Sequence, residues 1–201
     1  PLSADAEVLA EQLARHHVVF MAAPHHHPAM RHAAGARRVL ALPTLFNLVG
    51  PMVNPAGVKR QLMGVFSVDW LRPVTEVLAR LGSECVWTVC GQPQGEQNGI
   101  DEITLAGPTQ AVALEDGQIR SSHIEPDMAG LPYAPISAIR VVDTQHNPLA
   151  LEGLLRGPPS AYRYTVALNA AFAIHVAGRR PTLHTGRIAP AAPTTRLPTG
   201  S

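Results

Sequence analysis

The order of apolar segments between residues 61 and 90 constrains the fold most. Two short apolar runs, residues 61–66 and 85–90, have the length of buried strands and flank a segment with helical periodicity. That helix is predicted to open near Pro73 and to stop at Gly82. Its predicted buried face has four apolar residues: Val74, Val77, Leu78 and Leu81. Strand, helix and strand in this order predict two parallel strands joined by a crossover helix.

Residues 110–124 predict an antiparallel hairpin. Two extended segments, 111–114 and 118–124, flank the dipeptide Asp116-Gly117, which is typical of a tight turn between strands. A hairpin beside a parallel pair makes the sheet mixed. The predicted fold class is therefore α/β, with a mixed β-sheet flanked by helices.

Three helices are predicted in the first 50 residues: 4–16, 27–40 and 44–48. Ser3 is the expected cap of the first helix, and Pro43 separates the second from the third. The third is predicted to end at Gly50-Pro51. The apolar run 18–24 is interpreted as a buried strand or a strand-like crossover.

A further helix is predicted over residues 161–177, with Gly178 as its terminator. Its buried candidates are apolar: Val166, Ala170, Phe172 and Ile174. Beyond Arg180 the chain is rich in Pro, Thr and Ala without periodicity, so residues 181–201 are predicted to form a disordered tail.

Composition excludes several classes of partner. A hydrophobic content of 46% in 201 residues can fill a core, whereas a net charge of +1 provides no basic field for nucleic acid. No apolar run approaches the roughly 20 residues of a membrane span, and the first residues do not have the order of a signal peptide. Cys85 and Cys90 fit neither a disulfide nor a CxxC metal site, so buried free thiols in a reducing cytoplasm are expected.

Asp101 and Glu102 are the candidate metal ligands. They follow Gly99-Ile100, just beyond the predicted strand 85–90, and open α/β sheets bind ligands outside the carboxyl ends of their strands. Two adjacent carboxylates can hold Mg²⁺ and leave room for waters and a substrate phosphate. The alternative, a solvated surface pair, is common on loops and stays open.

Candidate substrate contacts lie nearer the start of the chain. A guanidinium at Arg37 or Arg38 could grip a carboxylate through two parallel hydrogen bonds, although two solvated helix arginines would give the same pattern. Consecutive histidines do not share a face, so residues 25–27 are interpreted as a loop, with His27 alone kept as a substrate contact. Gly50 permits close backbone approach and Pro51 stiffens the turn, as they would in a purely structural turn.

Several motifs occur together in one order along residues 4–180, and this order resembles the anthranilate phosphoribosyltransferases. The motifs are Ala23-Pro24-x-x-His27-Pro28-Ala29-Met30, Arg37-Arg38, Thr44-Leu45-Phe46-Asn47-Leu48-Val49-Gly50-Pro51-x-x-Asn54-Pro55, Gln61-Leu62-Met63-Gly64-Val65-Phe66, Gly99-Ile100-Asp101-Glu102 and Leu168-Asn169-Ala170-Ala171. The resemblance implies transfer of the phosphoribosyl group from phosphoribosyl pyrophosphate to anthranilate in tryptophan biosynthesis, with Mg²⁺ as cofactor.

The resemblance also implies roles for individual positions. Arg37 would approach the anthranilate carboxylate, and three further positions would line the anthranilate channel: His27, Gly50 and Pro51. Asp101 and Glu102 would hold Mg²⁺ against the pyrophosphate. The implied fold is that of the nucleoside phosphorylases and phosphoribosyltransferases, in which residues 1–180 form the α/β domain and residues 27–50 contribute helices to a small helical domain.

Two family motifs do not occur in this chain: the Gly-Thr-Gly-Gly-Asp loop that binds pyrophosphate and the Lys-His-Gly-Asn segment that contacts both substrates. The chain, which does not begin with Met, is therefore expected to lie within a longer sequence. It is also expected to need a complementing N-terminal segment for activity, and a homodimer is the other assembly considered. The alternative is a non-catalytic or degenerate homologue, including a nucleic-acid-binding relative, although 16 basic residues against 15 acidic ones do not favour the latter.

Overall fold

The computed structural model describes residues 5–21, 26, 45–139, 154 and 158–179, with the backbone alone at 45 and 46. The chain divides into two compact units, Pro1–Val58 and Lys59–Ser201. The predicted helix 27–40 and tail 181–201 lie outside the described residues, so both stay predictions. No helix of the described residues is long and apolar enough to cross a membrane.

The first unit contains two described helices, α1 (Ala6–His16) and α2 (Leu45–Met52). Asp5 caps α1 by accepting a hydrogen bond from the Glu7 N–H at 2.8 Å, so the predicted cap at Ser3 is wrong. The side chain of Asp5 reaches the free N–H groups because the helix begins two residues later than expected.

The predicted end of α2 at Gly50-Pro51 is also wrong. The helix continues to Met52, and the Val53 N–H still bonds to the Val49 carbonyl at 3.2 Å. Proline is tolerated one residue before the end of the helix because its missing N–H removes at most one helical hydrogen bond there.

Of the two interpretations of the apolar run 18–24, the buried strand is wrong where the run is described. Residues 18–21 have no strand structure, and Val18 and Phe20 are each 72% exposed. An apolar run forms a strand only where another strand offers its hydrogen-bonding groups, and none of the described strands pairs with this run.

The second unit is built on a four-stranded sheet in the order β1 (Arg60–Gly64), β2 (Cys85–Gly91), β3 (Thr109–Glu115) and β4 (Gln118–Ile124). β1 and β2 are parallel, whereas β2–β3 and β3–β4 are antiparallel. The predicted parallel pair, hairpin and mixed sheet are therefore confirmed.

The hairpin turn has the backbone that its sequence predicts. Asp116 has φ 49° and Gly117 has φ 72°, so both central residues lie in the left-handed region, as a type I′ turn requires. Aspartate and glycine tolerate this region better than most residues do, which is why the dipeptide predicts the turn.

Helices cover both faces of the sheet. α3 (Leu71–Arg80) joins β1 to β2, and its Thr75 hydroxyl lies 2.7 Å from the Thr88 hydroxyl on β2. α4 (Ala161–Val176) packs on the other face, where the rings of Phe172 and Trp87 meet edge to face with centroids 5.3 Å apart. Thr88 and Trp87 are neighbours on one strand and point to opposite faces, so the two helices enclose the sheet between them.

The buried face of α3 was predicted only in part. Val74 and Leu78 are buried, but Val77 is 41% exposed and Leu81 is 56% exposed. The helix begins at Leu71, and the residues at helical spacing from it form the buried stripe: Leu71, Val74, Thr75 and Leu78. Gly82, with φ 84°, follows the last turn as predicted.

In α4 only Phe172 of the four predicted buried residues is buried. The buried stripe consists of Thr165, Leu168, Phe172 and Val176, which recur at intervals of three or four residues. Val166 and Ile174 lie off this stripe and are 38% and 47% exposed, and Ala170 is exposed as well. The helix is apolar around much of its circumference, so hydrophobicity alone did not identify the packed face.

Candidate functional site at the strand ends

The segment that carries Asp101 and Glu102 folds back onto the end of β2. The Gly91 N–H donates to the Ile100 carbonyl at 2.8 Å, and the Ile100 N–H donates to the Gly91 carbonyl at 2.9 Å. This antiparallel bridge extends the sheet by one residue pair. The acidic turn, residues 101–102, therefore lies at the carboxyl ends of the two parallel strands, where the sequence placed it.

Two glycines make room for the acidic turn. A Cβ on Gly64 would lie 1.6 Å from the Asp101 carbonyl oxygen, and a Cβ on Gly91 would lie 2.5 Å from the Glu102 carbonyl oxygen. Neither glycine has a positive φ, so close approach of backbone rather than an unusual conformation requires glycine at both positions. The last residue of each parallel strand thus lets the turn lie directly on the strand ends.

Asn169 of α4 holds the residue that follows the acidic turn. Its side-chain oxygen accepts a hydrogen bond from the Ile103 N–H at 3.0 Å, and its amide nitrogen donates to the Ile103 carbonyl at 2.8 Å. The same nitrogen donates to the Thr165 carbonyl at 2.9 Å, which ties the amide to its own helix. Ile103 itself is fully buried, so one side chain satisfies two main-chain groups that water does not reach.

Asp101 and Glu102 are both exposed residues. The pKa of the Glu102 carboxyl is nevertheless raised, first because nearby protein atoms remove part of its water and second because Asp101 adds a negative charge beside it. A bound cation would offset both effects by neutralising the paired charges.

The donors of the turn fit a hard divalent cation. The described residues contain no group of three or more His, Cys, Asp or Glu side chains that could hold a metal ion. A structural zinc site would need such a group, whereas Mg²⁺ is commonly bound by one or two carboxylates that share it with waters and substrate phosphates. Two adjacent exposed carboxylates therefore suit Mg²⁺.

The predicted anthranilate contacts are described only in part. Gly50 and Pro51 lie in α2, where Gly50 is buried and Pro51 is exposed. Among the described residues no atom lies within 4 Å of the place where a Cβ on Gly50 would be. Arg37 and His27 lie outside the described residues, and their predicted roles stay predictions.

Reasoning from sequence missed Gly64, Gly91 and Asn169 as parts of the site. Asn169 had a signal, because it is the one amide in the strongly apolar segment 165–174 and such a residue needs hydrogen-bond partners. The two glycines had no such signal, since their close contacts join residues that are far apart in sequence.

The two thiols are free and buried as predicted, and burial raises the pKa of both Cys85 and Cys90.

A mixed sheet covered on both faces, with a pair of carboxylates on the ends of its parallel strands, defines an α/β protein whose strand ends carry a candidate ligand site. The chain belongs to the glycosyl transferase family, because the model of that family's a/b domain matches residues 1–193.

Known relatives agree with this assignment and with the resemblance drawn from sequence. The chain is 53% identical over 188 residues to the anthranilate phosphoribosyltransferase of Gluconobacter oxydans, a match of 94% of this chain and 51% of the relative. The crystal structure of anthranilate phosphoribosyltransferase from Thermus thermophilus is similar with a TM-score of 0.75 and 33% identity, over 92% of this chain and 54% of that one. The Saccharomyces cerevisiae enzyme in complex with PRPP and Mg is similar with a TM-score of 0.68 and 26% identity, over 84% and 47%. The chain thus spans about half the length of the relatives it matches, and the predicted fold class is confirmed.

Proposed function

We propose that the protein to which these residues belong transfers the phosphoribosyl group from phosphoribosyl pyrophosphate to anthranilate, a step of tryptophan biosynthesis. The observation that carries the proposal is the acidic turn fixed on the carboxyl ends of β1 and β2. The identity of 53% to the Gluconobacter oxydans relative supports the choice of reaction. In this proposal Asp101 and Glu102 supply the metal-binding side of the site.

Asp101 and Glu102 are proposed to hold Mg²⁺ against the pyrophosphate group. Their exposure lets both carboxylates reach a ligand that approaches from solvent. When bound, the cation would neutralise charge that develops on the leaving pyrophosphate. The complex of the Saccharomyces cerevisiae relative with PRPP and Mg supports this choice of ion.

Arg37 is proposed to bind the anthranilate carboxylate through two parallel hydrogen bonds. His27, Gly50 and Pro51 would line the channel through which anthranilate enters. Fixing the carboxylate orients the amine toward the sugar carbon as pyrophosphate departs, and orientation of this kind lowers the barrier without any covalent role for the protein.

The test uses a joined enzyme, in which this chain is fused to the N-terminal portion of the Gluconobacter oxydans relative. The resemblance places the Gly-Thr-Gly-Gly-Asp loop in that portion. The joined enzyme should consume anthranilate only with phosphoribosyl pyrophosphate and Mg²⁺ present, whereas the 201-residue chain alone should show no measurable transfer. The reason is that losing a single backbone donor to a developing charge already costs roughly 10²-fold in rate.

Variants of the joined enzyme test the metal site. Asp101→Asn and Glu102→Gln should each raise the Mg²⁺ concentration needed for half-maximal rate. Asp116→Asn is the matched control, because it makes the same chemical change in an exposed turn at the opposite end of the sheet, where asparagine accepts the positive φ. An unchanged Mg²⁺ requirement in both site variants would refute the proposed metal role.

The alternative of a degenerate homologue predicts that the joined enzyme stays inactive while the intact relative turns over under the same conditions. A nucleic-acid-binding relative predicts salt-dependent binding to DNA or RNA, which the near-neutral charge of this chain does not favour.

A homodimer would be detected as twice the expected mass in solution. A cytoplasmic location fits a biosynthetic enzyme with two buried free thiols.

A further inference from the structure

We propose that Asn169 is a positioning residue for the acidic turn, which it holds in the geometry that binds the cation. The proposal rests on the proposed function of Asp101 and Glu102 as metal ligands. It adds a residue of α4 that touches neither substrate nor metal and acts through the main chain of Ile103.

The acidic turn lies between two main-chain attachments. On its upstream side Ile100 is fixed to Gly91 by two backbone hydrogen bonds of 2.8 and 2.9 Å. On its downstream side Ile103 is fixed to Asn169 by two hydrogen bonds of 3.0 and 2.8 Å. Asp101 and Glu102 are the two residues between these attachments, so the backbone that carries both carboxylates is held at each end.

The downstream attachment depends on an amide side chain. Asn169 accepts from the N–H of Ile103 and donates to its carbonyl, as a neighbouring strand would. A carboxylate at this position could accept but not donate, and an apolar side chain would leave two buried main-chain groups without partners. Gly64 and Gly91 give the turn space, but they do not hold its downstream side.

Asn169 can hold the turn because its helix is fixed to the sheet. The neighbouring Leu168 is fully buried and Phe172 is 4% exposed, and both belong to the core cluster that contains Ile103 and Val89 of β2. The Asn169 amide is further held by its bond to the Thr165 carbonyl. The position of the turn is thereby tied to the packed face of α4.

The first test measures amide hydrogen exchange in the metal-free joined enzyme. Asn169→Ala should speed exchange of the Ile103 amide about tenfold or more relative to the Val89 amide in β2, which reports on unfolding of the core. Val176→Ala is the control, since Val176 is buried at the end of the same helix and its truncation weakens the helix without removing the amide or the contacts of the Ile103 cluster. It should speed exchange at both positions in parallel. A constant ratio in Asn169→Ala would overturn the proposal.

The second test measures how the rate of the joined enzyme depends on Mg²⁺. Loss of a group that orients a metal ligand commonly weakens metal binding about 10- to 100-fold. Asn169→Ala should therefore raise the half-saturating Mg²⁺ concentration at least tenfold, whereas Val176→Ala should lower the melting temperature and leave that concentration unchanged. Asn169→Asp keeps the hydrogen-bond acceptor and loses the donor, so this variant should also raise the half-saturating Mg²⁺ concentration. If the alanine variant does not fold, the aspartate variant replaces it in the comparison.

The two proposals fail in different ways. If Asp101→Asn and Glu102→Gln require more Mg²⁺ but the Asn169 variants do not, the positioning role is wrong and the metal site stands. If none of these variants changes the Mg²⁺ requirement, the proposed metal site is wrong, and the positioning role that depends on it is wrong as well.

Discussion

Gly64→Ala tests whether the acidic turn must lie directly on the end of β1. The new Cβ would lie 1.6 Å from the Asp101 carbonyl oxygen and 2.3 Å from the carbonyl carbon, whereas real contacts of this kind almost never fall below 3.0 Å. The shorter distance falls about 1.4 Å below that limit, so the main chain of Asp101 must move by about that much or β1 must retreat. Both partners are backbone atoms, and rotation of a side chain cannot relieve the clash.

The expected result is a loss of activity in a protein that still folds. Overpacking typically costs about 1–3 kcal/mol, and a clash between backbone atoms this close should reach the upper end of that range or exceed it, which a domain with roughly 5–15 kcal/mol of stability can tolerate. A catalytic group displaced by about 1 Å can lose about 10²-fold in rate. In the joined enzyme Gly64→Ala should therefore reduce kcat/KM about 100-fold at fixed Mg²⁺, and it should remain folded by circular dichroism.

Gly107→Ala is the matched control for this prediction. Its Cβ would lie 2.0 Å from the Gln92 carbonyl oxygen, which is the same type of backbone clash but involves neither residue of the acidic turn. It should lower the free energy of unfolding by a similar amount and change kcat/KM only severalfold. The reasoning would be refuted if Gly64→Ala kept the original kcat/KM or if both variants lost activity equally.

Two further predictions concern the sheet and its thiols. Thr75→Val leaves the buried Thr88 hydroxyl without the partner that lies 2.7 Å away, so it should cost about 1–3 kcal/mol in denaturant unfolding, and the double variant Thr75→Val, Thr88→Val should recover part of that loss. Burial raises the folded-state pKa of Cys85 and Cys90 above the ordinary 9.0, so their contribution to stability is complete below pH 9 and is lost as the pH rises through the folded-state values. The free energy of unfolding should fall as the pH rises above about 9, and it should fall less in the double variant Cys85→Ala, Cys90→Ala.

The parts of the fold that sequence predicted well depend on local chemistry. Asp116-Gly117 specifies its turn through the φ values that these residues tolerate, and Gly82 and Gly178 end their helices for a similar reason, with φ of 84° and 75°. The crossover from β1 to β2 follows from the lengths of apolar runs. Such features need little information from distant parts of the chain.

The parts that sequence predicted poorly depend on which surface each helix meets. Val77 and Ile174 are as hydrophobic as their buried neighbours, yet they lie on the solvent side because Leu71 and Leu168 set the packed stripes. The same limit applies to the site. The position of Asp101 after a strand was readable from sequence, whereas its contact with Gly64 depends on how the loop folds back across the sheet.

The role proposed for the acidic turn, binding of Mg²⁺ with a phosphate ligand, requires accessible carboxylates on a backbone that is held in one geometry. Exposed loops usually keep their side chains accessible but do not hold their backbone in one geometry, because few contacts restrain them. In this chain the two requirements are met by different atoms. The side chains of Asp101 and Glu102 are exposed, whereas the main chain on either side is fixed by Gly91 and Asn169. Because folding already orders the turn, ligand binding loses less conformational entropy. A pair of carboxylates can therefore suffice where a mobile loop would need more ligands.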